Sequence, residues 1–246
     1  MFDYQAKDNL LKDKIILVTG AGAGIGKAAA ISFAQHGATV ILVGKTAKKL
    51  EAVYDEIEAA GYPTPVECPL NLETATEKDY ADLASQIDQE FGRLDGLLHN
   101  ASALGQLGPL EQYDSTMWNR LVQVNLTSQF LMSKALIPLL TESKSGSLVF
   151  TSSSVGRKGR AYWGGYAITK FATEGMMQVW ADEVEGDSTL RINSINPGAT
   201  RTSMRATAYP AENPETLPSP EEILPLYLYL MGDDSIGVNG QAMNAQ

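Results

Sequence analysis

Seven short apolar runs recur along the chain, each about as long as one β-strand. They are "KIILVTG", "ATVILVG", "TPVECPL", "LDGLLHN", "SLVFTSS", "LRINSINP" and, with a weaker pattern, "GQAMN". Most are rich in β-branched residues and apolar without alternation, as strands buried on both faces are. Such strands suit a parallel sheet, whose neighbouring strands need long crossover connections. The intervening segments supply helices with recognisable ends. One is expected from about Ile25 to His36, stopped by Gly37. A second places Leu50, Val53, Tyr54 and Ile57 on one face and stops at Gly61. A third begins near Asp114, a natural N-cap, and is long. A late one opens "SPEE", with Ser219 as cap, Pro220 in the first turn, and Glu221 and Glu222 at the positive dipole end.

Strand and helix alternate to the end, with no linker, internal repeat or low-complexity tract. A single α/β domain over residues 1–246 is therefore expected: a doubly wound parallel sheet of about seven strands with helices on both faces. The 29 acidic and 19 basic residues leave a net charge of −10, which repels nucleic acid and anionic membranes. A single cysteine, Cys68, excludes an intramolecular disulfide and fits a reducing compartment. The opening "MFDYQAKDNLLKDK" lacks the apolar core of a secretory signal, and "ILPLYLYLM" is about half the length of a membrane span. A cytoplasmic chain is expected.

The first strand runs into a glycine-rich turn, "LVTGAGAGIGKAAA". Gly20, Gly22, Gly24 and Gly26, with Ile25 among them, form a tight strand-to-helix turn. Its bare backbone N–H groups and helix N-terminus suit a pyrophosphate, as in the dinucleotide-binding Rossmann fold. After the second strand such a site places an acid when the cofactor is NAD, to bind the ribose 2′-hydroxyl. Here "VGKTAKK" offers Gly44 and then Lys45, with Lys48 and Lys49 close behind. A cation there favours a 2′-phosphate, so NADP(H) is expected with Lys45 as its ligand, NAD(H) being the weaker option. The competing reading makes these lysines the solvated first turn of a helix.

Further along, "YAITK" sets Tyr166 and Lys170 four residues apart, hence on one face if the segment is helical. A phenol with an ordinary pKa near 10 exchanges protons poorly at neutral pH. A neighbouring ammonium is expected to lower it and so let Tyr166 exchange protons as an acid and base. No cluster of His, Cys and carboxylates suggests a metal.

The ordered set "TGAGAGIG", "HNAS", Asn125 in "VQVNL", Ser153, "YAITK" and "NPGATRT" resembles the classical short-chain dehydrogenase/reductase family from about Lys14 to the C-terminus. Within it, the stretch from "SLVFTSS" to "MMQVWADE" looks closest to the bacterial YciK-type branch. The resemblance implies a catalytic set of Asn125, Ser153, Tyr166 and Lys170. Ser153 would orient the substrate, and Asn125 would sit in a locally bent helix holding a relay water. It also implies adenine contacts at Asn71 and Leu72, a sheet brace at Asn100, and a ribose wall at Ala101. Pro197, Gly198, Thr200 and Thr202 would surround the nicotinamide. The family's usual Asn-Asn-Ala-Gly reads "HNAS" here, and His99 is read as structural rather than catalytic. Ala23 stands where many NADP-using relatives carry a basic residue.

The implied activity is NADP(H)-dependent interconversion of a carbonyl and an alcohol on a small molecule, by a homodimer or homotetramer. A nucleotide-sensing or partner-binding protein on the same fold is the alternative; retention of both Tyr166 and Lys170 favours the enzyme. A sugar-nucleotide epimerase fits less well, for its glycine spacing and C-terminal domain differ. The proline-rich connection 198–219 is read as a substrate lid or a passive loop. Arg157, Arg160, Arg201 and Arg205 either receive an anionic group on the substrate or decorate a solvated turn. Trp163 faces either substrate or a neighbouring subunit.

Overall fold

The structure is a computed structural model that describes residues 1–186 and 189–246. Its sheet contains β1 (Ile15–Thr19), β2 (Thr39–Gly44), β3 (Val66–Pro69), β4 (Gly96–His99), β5 (Ser147–Thr151), β6 (Arg191–Asn196) and β7 (Ala242–Asn244). All neighbours are parallel, in the spatial order β3-β2-β1-β4-β5-β6-β7. The helices are α1 (Gly24–Gln35), α2 (Ala47–Ala59), α3 (Glu77–Phe91), α4 (Ser115–Val122), α5 (Ser128–Thr141), α6 (Gly164–Glu183), α7 (Ser203–Ala208) and α8 (Leu224–Met231). This is the doubly wound α/β architecture expected from the apolar runs, and even the weak run "GQAMN" forms a strand.

Strand side chains alternate between faces, and here both faces are buried. Ile16, Val18, Val40 and Leu42 pack with α1, α2 and α8, through residues such as Phe33, Leu50 and Leu226. Ile15, Leu17, Ile41 and Val43 turn the other way, onto α3, α5 and α6 through Tyr80, Leu136 and Met177. Alanines 28, 29 and 30 let α1 approach the sheet closely. The chain winds outward from β1 to β3, then returns to β4 on the other side of β1. The reversal opens a crevice at the carboxyl ends of β1 and β4, where such sheets bind ligands.

Two expectations at helix ends need correction. Ser219 caps nothing with its side chain; instead Glu222 accepts the Ser219 backbone N–H at 2.6 Å, and a 3₁₀ turn over Glu221–Ile223 precedes α8. The helix from Asp114 is capped as expected, with Oδ1 accepting the Met117 N–H at 2.7 Å. It is interrupted, however, by a π-helical turn over Gln123–Thr127 before α5 continues. Among the described residues no helix is long and apolar enough to cross a membrane.

Candidate active site

The crevice is a cleft of about 510 Å³, lined from the first glycine turn to α7. At one end Gly20 holds φ +70°, a conformation that favours glycine. A β-carbon on Gly26 would lie 2.3 Å from the Gly20 carbonyl oxygen, so the turn closes only around glycine. Helix α1 then starts at Gly24, with Ala23 at the cap position offering no side-chain cap and no acid in the first turn. Its orphan N–H groups and dipole face the cleft beside Gly22, Gly24 and Ile25. Lys45 and Lys49 line the same end, and among the described residues neither forms an ion pair; Lys48 does not line the cleft. Gly44, Asn71 and Leu72 complete that wall.

The middle is set by a threonine the sequence reading did not single out. Thr19 Oγ1 accepts the N–H groups of Asn100 at 2.9 Å and Ala101 at 3.0 Å, and donates to the Leu98 carbonyl. Asn100 Nδ2 donates to the Thr19 carbonyl at 3.2 Å, tying β1 to the end of β4. Beside them the Ser102 hydroxyl lines the cleft, buried and, among the described residues, without a partner. His99 is buried under the sheet end, stacked on Phe150 with centroids 5.0 Å apart and bonded through Nε2 to the Ser133 hydroxyl at 2.9 Å. Burial, with the Lys170 charge nearby, pushes its pKa down to about 3, which keeps the ring neutral.

At the far end Ser153, Tyr166 and Lys170 line the cleft together. Ser153 follows β5, while Tyr166 and Lys170 lie one turn apart on α6. Tyr166 is 7% exposed and Lys170 1%. The Lys170 ammonium donates to the Thr151 carbonyl at 2.7 Å and stands 5.6 Å from the centre of the Tyr166 ring. Burial lowers its pKa to about 8, opposed by the negative charge of Glu174.

The Tyr166 phenol departs from expectation: its pKa is pushed up to about 12 rather than lowered. Desolvation dominates because the ring is enclosed, and the Ser153 hydroxyl pulls only weakly the other way. The ammonium is turned toward Thr151, so the cleft as it stands holds Tyr166 as a protonated donor.

Asn125 does not line the cleft but staples its back wall from inside the π-turn. Its Oδ1 accepts the Ala103 N–H at 2.7 Å; its Nδ2 donates to the Ala103 carbonyl at 2.9 Å and to Thr169 Oγ1 at 3.1 Å. Thr169 in turn donates to the Tyr166 carbonyl. Glu174, one turn beyond Lys170, accepts from Arg157 Nε at 3.1 Å and Ser194 Oγ at 2.7 Å. Helical spacing from Lys170 would have pointed to it.

Pro197, Gly198, Thr200 and Thr202 line the remaining wall. Thr202 Oγ1 caps α7 by accepting the Arg205 N–H. Gln246, without any local sequence signal, donates to the Pro197 carbonyl at 2.7 Å and so props this loop from behind.

The four arginines do not form one anion-binding patch. Arg157 is spent on Glu174, Asn244 and the Met243 carbonyl. Arg201 pairs with Glu215, Arg205 pairs twice with Glu212, and Arg160 reaches the Tyr209 hydroxyl. Trp163 lines the cleft. Among the described residues no group of three or more His, Cys, Asp or Glu is placed to hold a metal ion.

The cradle that only glycine permits, the uncapped helix end, the unpaired lysines and the orphan Ser102 hydroxyl all fit a phosphorylated dinucleotide. Comparisons with known proteins point the same way. The family described as short chain dehydrogenase matches residues 14–213. The chain is 51% identical to the uncharacterized oxidoreductase YciK of Escherichia coli K12, covering 99% of this chain and 96% of that one. A short-chain dehydrogenase structure from Pseudomonas syringae superposes with a TM-score of 0.97 at 57% identity, over 100% of both chains. Another, from Escherichia coli CFT073 and complexed with NADPH, gives a TM-score of 0.95 at 52% identity, over 98% of this chain and 99% of that one. The crevice, its glycine cradle and a match this complete leave one assignment: the chain belongs to the short-chain dehydrogenase/reductase family of oxidoreductases.

Proposed function

We infer that the protein is an NADP(H)-dependent oxidoreductase that interconverts a carbonyl and an alcohol on a small molecule. One observation carries the reading: Ser153, Tyr166 and Lys170 share a cleft with the glycine cradle. For the cofactor, Gly20, Gly22, Gly24 and Ile25 face the pyrophosphate, with Gly26 closing the turn. Lys45, beside Gly44, takes the 2′-phosphate, which the NADPH complex of the 52%-identical relative supports. Asn71 and Leu72 border the adenine, Asn100 and Ala101 the ribose, and Pro197, Gly198, Thr200 and Thr202 the nicotinamide. The bound cofactor supplies or accepts the hydride at the nicotinamide.

The protein's own residues manage the proton. Tyr166, protonated through the neutral range, donates from its hydroxyl to the carbonyl oxygen during reduction, as negative charge develops there. Ser153 holds the same oxygen. The Lys170 ammonium stabilises the phenolate that remains. Asn125 is a positioning residue, holding Ala103 and Thr169 around the reacting end. In the oxidative direction the same groups run in reverse.

The chain acts as one domain in the cytoplasm, and segment 198–219 forms a lid over the reacting end. Slower proteolysis within 198–219 upon NADPH binding supports the lid; an unchanged rate removes it. Helices α5 and α6 leave Phe130, Ile168, Phe171 and Val179 exposed, and these supply the contact of a homo-oligomer, read as solution mass. An NADPH-consumption panel over aldehydes, ketones and keto acids tests the activity. Tight NADPH binding with no carbonyl reduced would defeat the reading.

A further inference from the structure

The reacting end of the cleft has a second wall that the catalytic groups do not use. Leu104, Trp163 and Met204 pack against the buried cluster around Tyr166, and all three line the cleft. The Trp163 ring centre lies 5.8 Å from that of Tyr166 and 5.9 Å from that of Tyr209. Ala208, on α7, adds another apolar surface.

Among the cations that line the cleft, Lys170 is bonded to the Thr151 carbonyl, Arg120 pairs with Glu73, and Arg205 lies on α7 with Met204 and Ala208. The Arg205 guanidinium lies 3.8 Å over the Tyr209 ring and donates to both oxygens of Glu212 at 2.6 Å. That pair has no net charge, so an incoming carboxylate gains little from it and competes with Glu212 for the same planar fork. An apolar group beside the carbonyl instead finds an aromatic and aliphatic wall within reach of Tyr166.

We propose that Leu104, Trp163, Met204 and Ala208 form a subsite for an uncharged, apolar substituent, best an aromatic ring, so that the substrates are neutral hydrophobic carbonyl compounds. Glu212 is the residue that sets the charge preference, by neutralising Arg205. This rests on the oxidoreductase reading of the cleft and narrows its substrate class.

The test uses a matched pair, ethyl 2-oxo-4-phenylbutanoate and the free 2-oxo-4-phenylbutanoate anion, which share the ketone and the phenyl ring. Each is titrated calorimetrically into the protein with and without saturating NADP⁺, and NADPH consumption is followed separately. The ester is expected to bind about tenfold or more tightly than the anion, because the anion's charge goes uncompensated in the apolar wall. Trp163→Ala weakens ester binding by about tenfold through lost ring contact, while Trp163→Phe retains most of it. Glu212→Gln frees the Arg205 charge and narrows or inverts the ratio. Equal or tighter binding of the anion by the wild-type protein, or ester affinity indifferent to Trp163→Ala, overturns the proposal. Trp163-dependent ester binding without turnover sustains the subsite and defeats the reductase reading. Faster reduction of the anion than of the ester does the opposite.

Discussion

Replacing Asn125 with alanine removes three hydrogen bonds, two to the backbone of Ala103 in the cleft wall and one to Thr169 on α6. The side chain is fully buried and holds both the N–H and the carbonyl of Ala103, as well as the Thr169 hydroxyl. Thr169 keeps its bond to the Tyr166 carbonyl, but the two backbone groups of Ala103 lose these partners. Each stranded group costs about 1–3 kcal/mol, so about 4 kcal/mol is expected for the pair. In a chain of this size about 4 kcal/mol lowers the melting temperature by about 8–16 °C. Differential scanning calorimetry on the cofactor-free protein measures it directly. The variant should also lose turnover, since Ala103 and Tyr166 form neighbouring parts of one wall. A drop below about 2 °C would refute the staple, because it would mean that Ala103 is satisfied without the carboxamide.

Lys45→Ala should weaken NADPH about tenfold, equivalent to about 1.4 kcal/mol, and leave NADH within about twofold; equal losses for both cofactors would discard Lys45 as the phosphate ligand. The pH profile of kcat/KM for reduction should fall on the alkaline side near pH 8, where Lys170 loses its proton, while Tyr166 stays protonated to about 12. The groups facing that ammonium are Glu174 on its own helix, with Arg157 and Ser194 behind it, the Thr151 carbonyl, neutral His99 and the Tyr166 ring. Glu174 raises the lysine pKa, so Glu174→Gln should move the alkaline limb to lower pH; a limb that stays in place would remove Glu174 from the proton path.

The sheet was legible because its central strands, β1, β2, β4 and β5, are apolar on both sides, a pattern few other folds require. The cradle was legible for a similar reason: a β-carbon on Gly26 would lie 2.3 Å from the Gly20 carbonyl oxygen, so the residue type reports the geometry. Helical spacing puts Tyr166 and Lys170 on one face but is common, and the pair stands out only beside the glycine turn, the strand serine and Asn125; Ser153 among three adjacent serines is selected only by the family's spacing to Tyr166. What stayed hidden depends on contacts far apart in sequence. Gln246 reaches Pro197 across 49 residues, and Thr19 anchors Asn100 across 81. The sequence left open whether the arginines meet an anion on the substrate, because the carboxylates that pair with three of them, Glu174 with Arg157, Glu215 with Arg201 and Glu212 with Arg205, are not marked by any local pattern. The sign of the Tyr166 shift was missed because spacing shows that an ammonium is near but not that burial outweighs it.

The most direct test of the catalytic assignment is Tyr166→Phe, assayed for NADPH affinity and for carbonyl reduction in the same preparation. The variant is expected to bind NADPH within about threefold of wild type while kcat falls by about 10²–10⁴, the usual range for loss of a general acid. A Tyr166→Phe protein that reduces the same carbonyl at the wild-type rate would contradict the account, because the proton would then come from another group.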